Sequence, residues 1–376
     1  MTTKIAARPA AEPPTAPALP GEPLRVAVLG ATGYVGAELV RILERHPHVS
    51  IVGLAARNRD GVPVGEAFAH LAGTGHRIDA ELPDANELDA VFLALPHGQA
   101  ATIAPPLLER GVLVVDLGPD FRLSDPADYP TWYGFEHPAP ELLPGGPGRP
   151  GDTVTAAAVY GLPELHREAL ARTRLIASPG CYPTAALLAL APLARAGLVH
   201  DVVVDAKSGV SGAGREPKLE THFGEVNESV RAYGLGGHRH FAEIRQELAG
   251  LGVGLRALEG LVFTPHLVPM TRGLLATCYV RPADLVTQGE IDALYREAYA
   301  DEPCVAISET SPATKTVTGA NLARVFAHLD ERSGRIVALG AIDNLVKGAA
   351  GQAVQAFNVA AGLPETAGLE QLPLFP

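Results

Sequence analysis

Apolar positions along this chain fall into two rhythms. Leu24 to Gly30 (LRVAVLG) is a short, almost continuous apolar run, the mark of a strand buried on both faces. A glycine turn follows, and then VGAELVRILERH, whose Val35, Leu39, Ile42 and Leu43 recur at helical spacing. SIVGLAA, AVFLALP and VLVVDLG repeat the buried-strand pattern, separated by helical stretches such as GQAATIAPPLLERG. Strands of this kind alternating with helices predict a parallel, doubly wound α/β sheet of the Rossmann type over roughly the first 120 residues.

The rhythm then changes. From Asp120 to Asp152 the chain is rich in proline, glycine and aromatics (DYPTWYGFEHPAPELLPGGPGRPG) without periodicity, which reads as a long surface loop. RLIASPGCYPTAALLALAPLARAG predicts a strand, a sharp turn and a helix. DVVVDAKSGVSGAGR predicts a strand running into a glycine-rich loop, and GGHRHFAEIRQEL opens another helix. LVFTPHLVPM and GLLATCYVRP are strand-like runs across a short turn, as are LARVFAHLD and GRIVALGAI around Glu331 to Gly334. The second half is therefore expected to be an α+β domain with an antiparallel or mixed sheet. DNLVKGAAGQAVQAFNVAAGL reads as a long helix returning to the first domain. The expected division is a disordered tail over 1–23, a nucleotide domain over 24–180, a substrate domain over 181–342 and the returning helix in 343–376. No internal repeat is visible.

A length of 376 residues exceeds what one core usually serves, and 47% hydrophobic against 19% charged residues marks a folding chain. A net charge of −12 argues against a nucleic-acid protein, because phosphate backbones are held by basic surface that this composition lacks overall. Nothing reads as a signal peptide or a membrane span. Three widely spaced cysteines, Cys181, Cys278 and Cys304, form neither a disulfide framework nor a metal knuckle, so a reducing cytoplasm is expected.

Gly30, Gly33 and Gly36 of GATGYVG stand between the first strand and the first helix, where glycines allow a tight turn and backbone approach to a pyrophosphate. The spacing departs from GxGxxG, and a plain tight turn is the alternative. The second strand ends on Ala55, Ala56, Arg57, Asn58 and Arg59 with no acid for a ribose diol, so NADP is favoured over NAD; Arg57 and Arg59 are otherwise solvated loop charges.

Cys181, in SPGCYPT, falls at a predicted helix start, where free backbone N–H groups and the helix dipole favour thiolate over thiol. Cys278 and Cys304 lie in strand-like runs and read as buried hydrophobes. A thiolate nucleophile needs an acid/base partner, and GGHRH offers His238 and His240, of which either could act. A metal reading of His-x-His lacks any supporting Cys or acidic ligand, so no metal is expected. His46, His48, His70, His76 and His200 read as surface residues. KSGVSGAGR, from Lys207 to Arg215, could cradle an anion or simply be a mobile charged loop. Asp120 and Arg122, and Tyr160 to Glu164, border the cleft or cap turns.

Taken in order, GATGYVGAELVRIL, LALPHG, DLGPDFRL, YGLPEL, SPGCYPT, KSGVSGAGR, GGHRHFAEI and FTPHLVPMTRG resemble the N-acetyl-gamma-glutamyl-phosphate reductase family of arginine biosynthesis, from about Leu24 to Leu363. The related aspartate-semialdehyde dehydrogenases share the cysteine but usually not GGHRH with VPMTRG. The resemblance implies a Rossmann domain binding NADP, an inserted substrate domain and a homotetramer or homodimer. It implies Cys181 as nucleophile and a histidine of GGHRH, His238 or His240, as acid/base. Cofactor contacts are implied at Gly30, Thr32, Gly33, Tyr34, Val35 and Gly36, at Arg57 and Pro96, at Ser178 and Gly180, and at Ser208, Gly209 and Asn344. Substrate contacts are implied at Arg122, Glu164, Ser211 and Arg215. Gly118 and Pro119 replace the usual Ser and Ala of DLSADFR, and the insert near Leu143 to Gly151 is longer than expected. The implied reaction is attack of Cys181 on an acyl phosphate, loss of phosphate, and reduction of the thioester. The same chemistry on aspartyl phosphate or the longer N-acetyl-aminoadipyl phosphate is the nearest alternative, and a non-catalytic NADP sensor the most distant.

Overall fold

The computed structural model describes residues 21–57, 59–146 and 157–375. The first sheet has six parallel strands, β1 Leu24–Leu29, β2 Val49–Ala55, β3 Ala90–Leu93, β4 Leu113–Asp116, β5 Val159–Tyr160 and β6 Leu175–Ala177, in the order β2-β1-β3-β4-β6-β5. Its central strands are almost wholly apolar, Arg25 and Asp116 excepted, because both faces are covered. Val26, Val28, Phe92 and Val115 point to one layer, which contains α1 (Tyr34–Leu43) and the C-terminal Val354 and Phe357. Ala27, Val91, Leu93 and Val114 point to the other, against Ala100, Ala101 and Ala104 of α2 (Ala100–Glu109).

That second layer corrects the reading of 120–152 as surface loop. Phe121, Leu123, Tyr129, Tyr133, Leu142 and Leu143 are buried in it, and Asp128–Tyr133 is helical. The segment has no period because its aromatics fill one sheet face from irregular backbone. Residues 147–152 of the predicted loop, the four that follow it, and 1–20 of the predicted tail lie outside the described residues.

After α3 (Pro163–Leu170) and β6, α4 (Cys181–Arg195) runs through the centre of the molecule. It is buried from Tyr182 to Ala194, which is why its sequence is apolar all round. One face of the second sheet packs on it, joined by α5 (His240–Gly250) and α6 (Gln288–Ala298). The strands are β7 Val199–Gly209, β8 Arg231–Ala232, β9 Val262–Val268, β10 Leu274–Pro282, β11 Val305–Ile307, β12 Ala323–Asp330 and β13 Arg335–Ile342, in the mixed order β8-β9-β7-β10-β13-β12-β11. β12 and β13 form the expected hairpin. β9 and β10 do not pair: β7 lies between them, parallel to β9 and antiparallel to β10. Their connection is held over the end of β7 instead, with Val210 N–H donating to Met270 O and Ser211 N–H to Thr271 O.

The predicted C-terminal helix is also broken. Residues Val346–Ala350 form a π-helical turn, and the α-helix proper, α7, is Gly351–Ala360. His46, read as a surface residue, is buried against α7, its Nε2 2.9 Å from Asn358 Oδ1. Among the described residues no helix is long and apolar enough to cross a membrane.

Candidate active site

Two strand-turn-helix units stand at the carboxyl edge of the first sheet, the usual ligand edge of such folds. In the first, Gly30 has φ +94°, and a Cβ there would stand 2.2 Å from Ala94 O. A Cβ at Gly36 would meet Gly30 O at 2.3 Å, so both glycines let β1, α1 and the segment after β3 close together. Gly33 differs. It precedes α1 with no side-chain cap, and a Cβ there would find only Gly30 O, at 3.6 Å. An uncapped, unobstructed helix N-terminus is what a pyrophosphate requires. Thr32, Tyr34 and Val35 share this turn, Pro96 lies two residues beyond Ala94, and Arg57 is exposed at the tip of β2.

In the second unit Gly180 precedes α4, again without a side-chain cap, and Cys181 is the first helical residue. Here the space is taken: a Cβ on Gly180 would lie 2.5 Å from His240 Nε2. Cys181 is half-buried. Burial pushes its thiol up to about 11, outweighing the downward pull of the Tyr182 N–H and of Arg122. Desolvation thus opposes the thiolate preference expected of a helix terminus. Cys278 and Cys304 are buried, as read.

His240 begins α5, its ring centroid 4.8 Å from that of His238. Tyr182 and Phe263 set their rings edge-on to His238, at 5.7 and 5.4 Å. His238 Nδ1 accepts from His240 N–H, at 3.1 Å. Burial, aided by Arg239, brings His238 down to about 4; burial, with His238 and Arg122, takes His240 well below its usual range. Both imidazoles are neutral near pH 7.

One turn along α5 stands Glu243, which the sequence reading missed. Its fully buried carboxylate accepts from Arg122 Nη1 at 2.9 Å, Tyr160 OH at 2.9 Å and Gly180 N–H at 3.0 Å, with His240 Nε2 at 3.9 Å. The i, i+3 spacing from His240 was the available signal.

The remaining candidates divide. Ser178 is buried beside Gly180, and its Oγ has no partner among the described residues. Ser208 and Gly209 end β7, and Asn344 binds Ser211 Oγ (2.9 Å) and Gly273 N–H (2.7 Å), so the glycine-rich loop is tied to the segment after β13. Three implied substrate contacts turn elsewhere. Arg122 spends its guanidinium on Glu243, Ser178 O and Leu117 O. Glu164 is enclosed with Lys347, at 2.6 Å, and presents no atom to a ligand. Arg215 crosses to the nucleotide turn, donating to Thr32 O and Ala67 O at 2.9 Å and covering the Phe68 ring at 4.2 Å. Side-chain length and partner choice, invisible in a motif, decided all three. Asp120 caps α2, accepting from Gly98 and Ala101 N–H.

A nucleotide fold joined to a helix-start cysteine and a buried histidine defines the class, that of the semialdehyde dehydrogenases. Family models agree: the semialdehyde dehydrogenase NAD binding domain matches residues 25–173 and the semialdehyde dehydrogenase dimerisation domain 181–344. Among solved structures, aspartate semialdehyde dehydrogenase II from Vibrio cholerae covers 91% of this chain and 99% of its own with a TM-score of 0.65 at 19% identity. The Candida albicans aspartate semialdehyde dehydrogenase with NADP also gives 0.65, at 16% identity over 91% of this chain and 99% of its own. Those likenesses establish the two-domain fold. The chain is 48% identical to the N-acetyl-gamma-glutamyl-phosphate reductase of Desulforudis audaxviator, over 94% of this chain and 100% of the relative. It is 44% identical to those of Geobacillus kaustophilus and Dehalococcoides mccartyi, again over 94% of this chain and 100% and 99% of the relatives. The chain belongs to the N-acetyl-gamma-glutamyl-phosphate reductase family and is an oxidoreductase.

Proposed function

We propose that this chain reduces N-acetyl-L-glutamyl 5-phosphate to N-acetyl-L-glutamate 5-semialdehyde and phosphate, with NADPH, in the cytoplasm and as a step of arginine biosynthesis. The observation that carries the proposal is the packing of His240 on Gly180, the residue before Cys181, with Glu243 behind both. The uncapped α1 terminus at Gly33, Arg57 at the tip of β2 and the orphaned Ser178 Oγ fit a bound NADP. NADPH bound there supplies the hydride that reduces the thioester.

The protein's own part is proton handling and orientation. Cys181 Sγ forms a bond to the acyl carbon as the neutral His240 imidazole takes the thiol proton, and phosphate leaves. Burial disfavours the thiolate, so attack is coupled to removal of the thiol proton. The imidazolium then stands beside the Glu243 carboxylate, which stabilises the charge. His240 next protonates the oxygen of the reduced carbon. It takes that proton back as the C–S bond breaks and the aldehyde leaves. N–H groups at the start of α4 serve the developing oxyanion. Residues 24–180 take the nucleotide and 181–342 the substrate, with Ser208, Gly209 and Asn344 at the border.

The outer face of the second sheet carries Val203, Lys207, Thr277, Tyr279 and Val337 in partial exposure, a face suited to a second copy of this chain in a homodimer or homotetramer. The test is phosphate-dependent reduction of NADP, comparing N-acetyl-glutamate semialdehyde with aspartate semialdehyde and the acetyl-aminoadipate homologue. Reaction with the first alone, lost without phosphate, is expected; preference for another aldehyde replaces the substrate and keeps the chemistry.

A further inference from the structure

Beyond Asn344, the segment after β13 has no place in the chemistry above, yet it is buried and closely hydrogen-bonded. Asp343 is fully buried; its Oδ1 accepts from Leu345 N–H at 2.8 Å and Val346 N–H at 3.2 Å, and its Oδ2 from Gly319 N–H at 2.7 Å. The π-helical turn Val346–Ala350 follows. Such turns are uncommon and are frequently found at functional sites.

Inside the turn, Lys347 is buried between α3 and α7. Its Nζ lies 2.6 Å from Glu164 Oε1 and 2.7 Å from Gln355 Oε1, while Gln355 Nε2 donates to Glu164 Oε1 at 3.1 Å. Both ion-pair side chains are 0% exposed. A buried ion pair contributes little net stability over apolar side chains of the same volume, so what it adds is a fixed register.

The next residue, Gly348, faces the nucleophile. A Cβ there would lie 2.7 Å from Cys181 Cβ, 3.2 Å from Ile342 Cδ1 and 3.3 Å from Asp343 O. Real Cβ atoms do not approach so closely, so the glycine is required by the neighbour. Across the same residue, Gly180 leaves room for His240. The residue before Cys181 and the residue packed on its Cβ are thus both positions where only hydrogen fits, the first because of the imidazole and the second because of Cys181 itself.

We propose that the π-turn is a positioning device for the nucleophile: Gly348 seats the Cys181 side chain, and the Lys347–Glu164 pair fixes the turn that carries Gly348. The proposal rests on Cys181 being the nucleophile. Neither Gly348 nor Lys347 touches the reacting atoms; both act through Cys181. An extra methyl at Gly348 displaces the sulfur by a fraction of an ångström to an ångström, a misplacement worth ~10²-fold in rate.

The test uses Gly348→Ala and Lys347→Met in the full chain. Three quantities are measured: kcat and KM for each substrate, NADPH affinity, and the rate and pH profile of Cys181 alkylation by iodoacetamide. Gly348→Ala should lower kcat by ~10- to 100-fold with NADPH affinity unchanged, and should alter the alkylation profile. Lys347→Met should shift alkylation the same way by less. Adding Glu164→Leu to Lys347→Met should restore thermal stability without restoring Cys181 reactivity. If Gly348→Ala does not fold, Cys181→Gly in the same chain should recover folding, because the Cys181 Cβ at 2.7 Å is the one neighbour of the added methyl closer than 3.0 Å. Wild-type kcat and alkylation in a folded Gly348→Ala protein, or no rescue of an unfolded one, overturns the proposal. Full activity of Cys181→Ser instead overturns the nucleophile, and alkylation still reports the seat.

Discussion

The two helix starts at the carboxyl edge of the first sheet are built alike and used differently. Gly33 precedes α1 at φ −82°, ψ 166°, and Gly180 precedes α4 at φ −70°, ψ 152°; neither helix has a side-chain cap. Both therefore present bare backbone N–H groups at the carboxyl end of a parallel strand. At Gly33 a Cβ would meet only Gly30 O at 3.6 Å, whereas at Gly180 it would run into the His240 ring. One terminus keeps its space for a ligand; the other has given it to a protein side chain. The difference teaches that a helix terminus is a generic anion seat, and what packs across it makes it a binding cradle or a reaction centre.

The largest effect is expected at the residue that separates the two. Cys181→Ser should lower turnover by roughly 10⁴-fold or more while leaving NADPH affinity unchanged, as read by single-turnover kinetics and fluorescence titration. Retained turnover would dissolve the distinction. The matched pair Gly180→Ala and Gly33→Ala comes next. The first forces His240 aside and should cost ~10²-fold in kcat; the second should weaken NADPH by ~10-fold or less and leave saturated kcat near normal. Identical outcomes for the two would mean that the turns are not functionally distinct.

A third test concerns protons at the occupied terminus. His238 titrates at about 4 in the folded protein, below its usual 6.5, because burial disfavours the cation. The unfolded chain therefore binds more protons between those values, and stability falls as pH drops from about 7 toward 4. Asp116 opposes this: burial and Asp120 raise it to about 7, which favours the folded state as pH falls. The informative quantity is thus the difference between wild type and His238→Gln in melting temperature against pH. The variant should lose less stability than wild type between pH 7 and 5, and parallel curves would rule out His238 as a buried neutral base. The smallest effect belongs to Arg215, whose exposed guanidinium bridges Thr32 O and Ala67 O. Arg215→Ala should raise the NADPH dissociation constant only ~3- to 10-fold, and no change would confine its role to the loop.

Much of this was legible without coordinates, and the boundary has a physical cause. Period and composition determine local things: apolar runs at β1, β3 and β4, helical spacing in α1, glycines where backbone crowds backbone, a cysteine at a helix start. These depend on neighbours a few residues away, so the chain itself carries them. The tertiary structure decided which groups share a charge or a volume. Glu243 joins Arg122, Tyr160 and Gly180 from three separate stretches, and nothing nearer than its i, i+3 step from His240 announced it. Glu164 turned to Lys347, 183 positions away, and the aromatics after Asp120 became a sheet face. β7 slipped between two strands that adjoin in sequence, because hydrogen-bond pairing follows the sheet's order in space. The thiol's resting proton was decided the same way: a helix start lowers a cysteine, but the wall that other segments build around Cys181 raises it further. Local pattern determined which residues carry chemistry, and only packing decided their partners, because desolvation and contact are properties of the assembled neighbourhood.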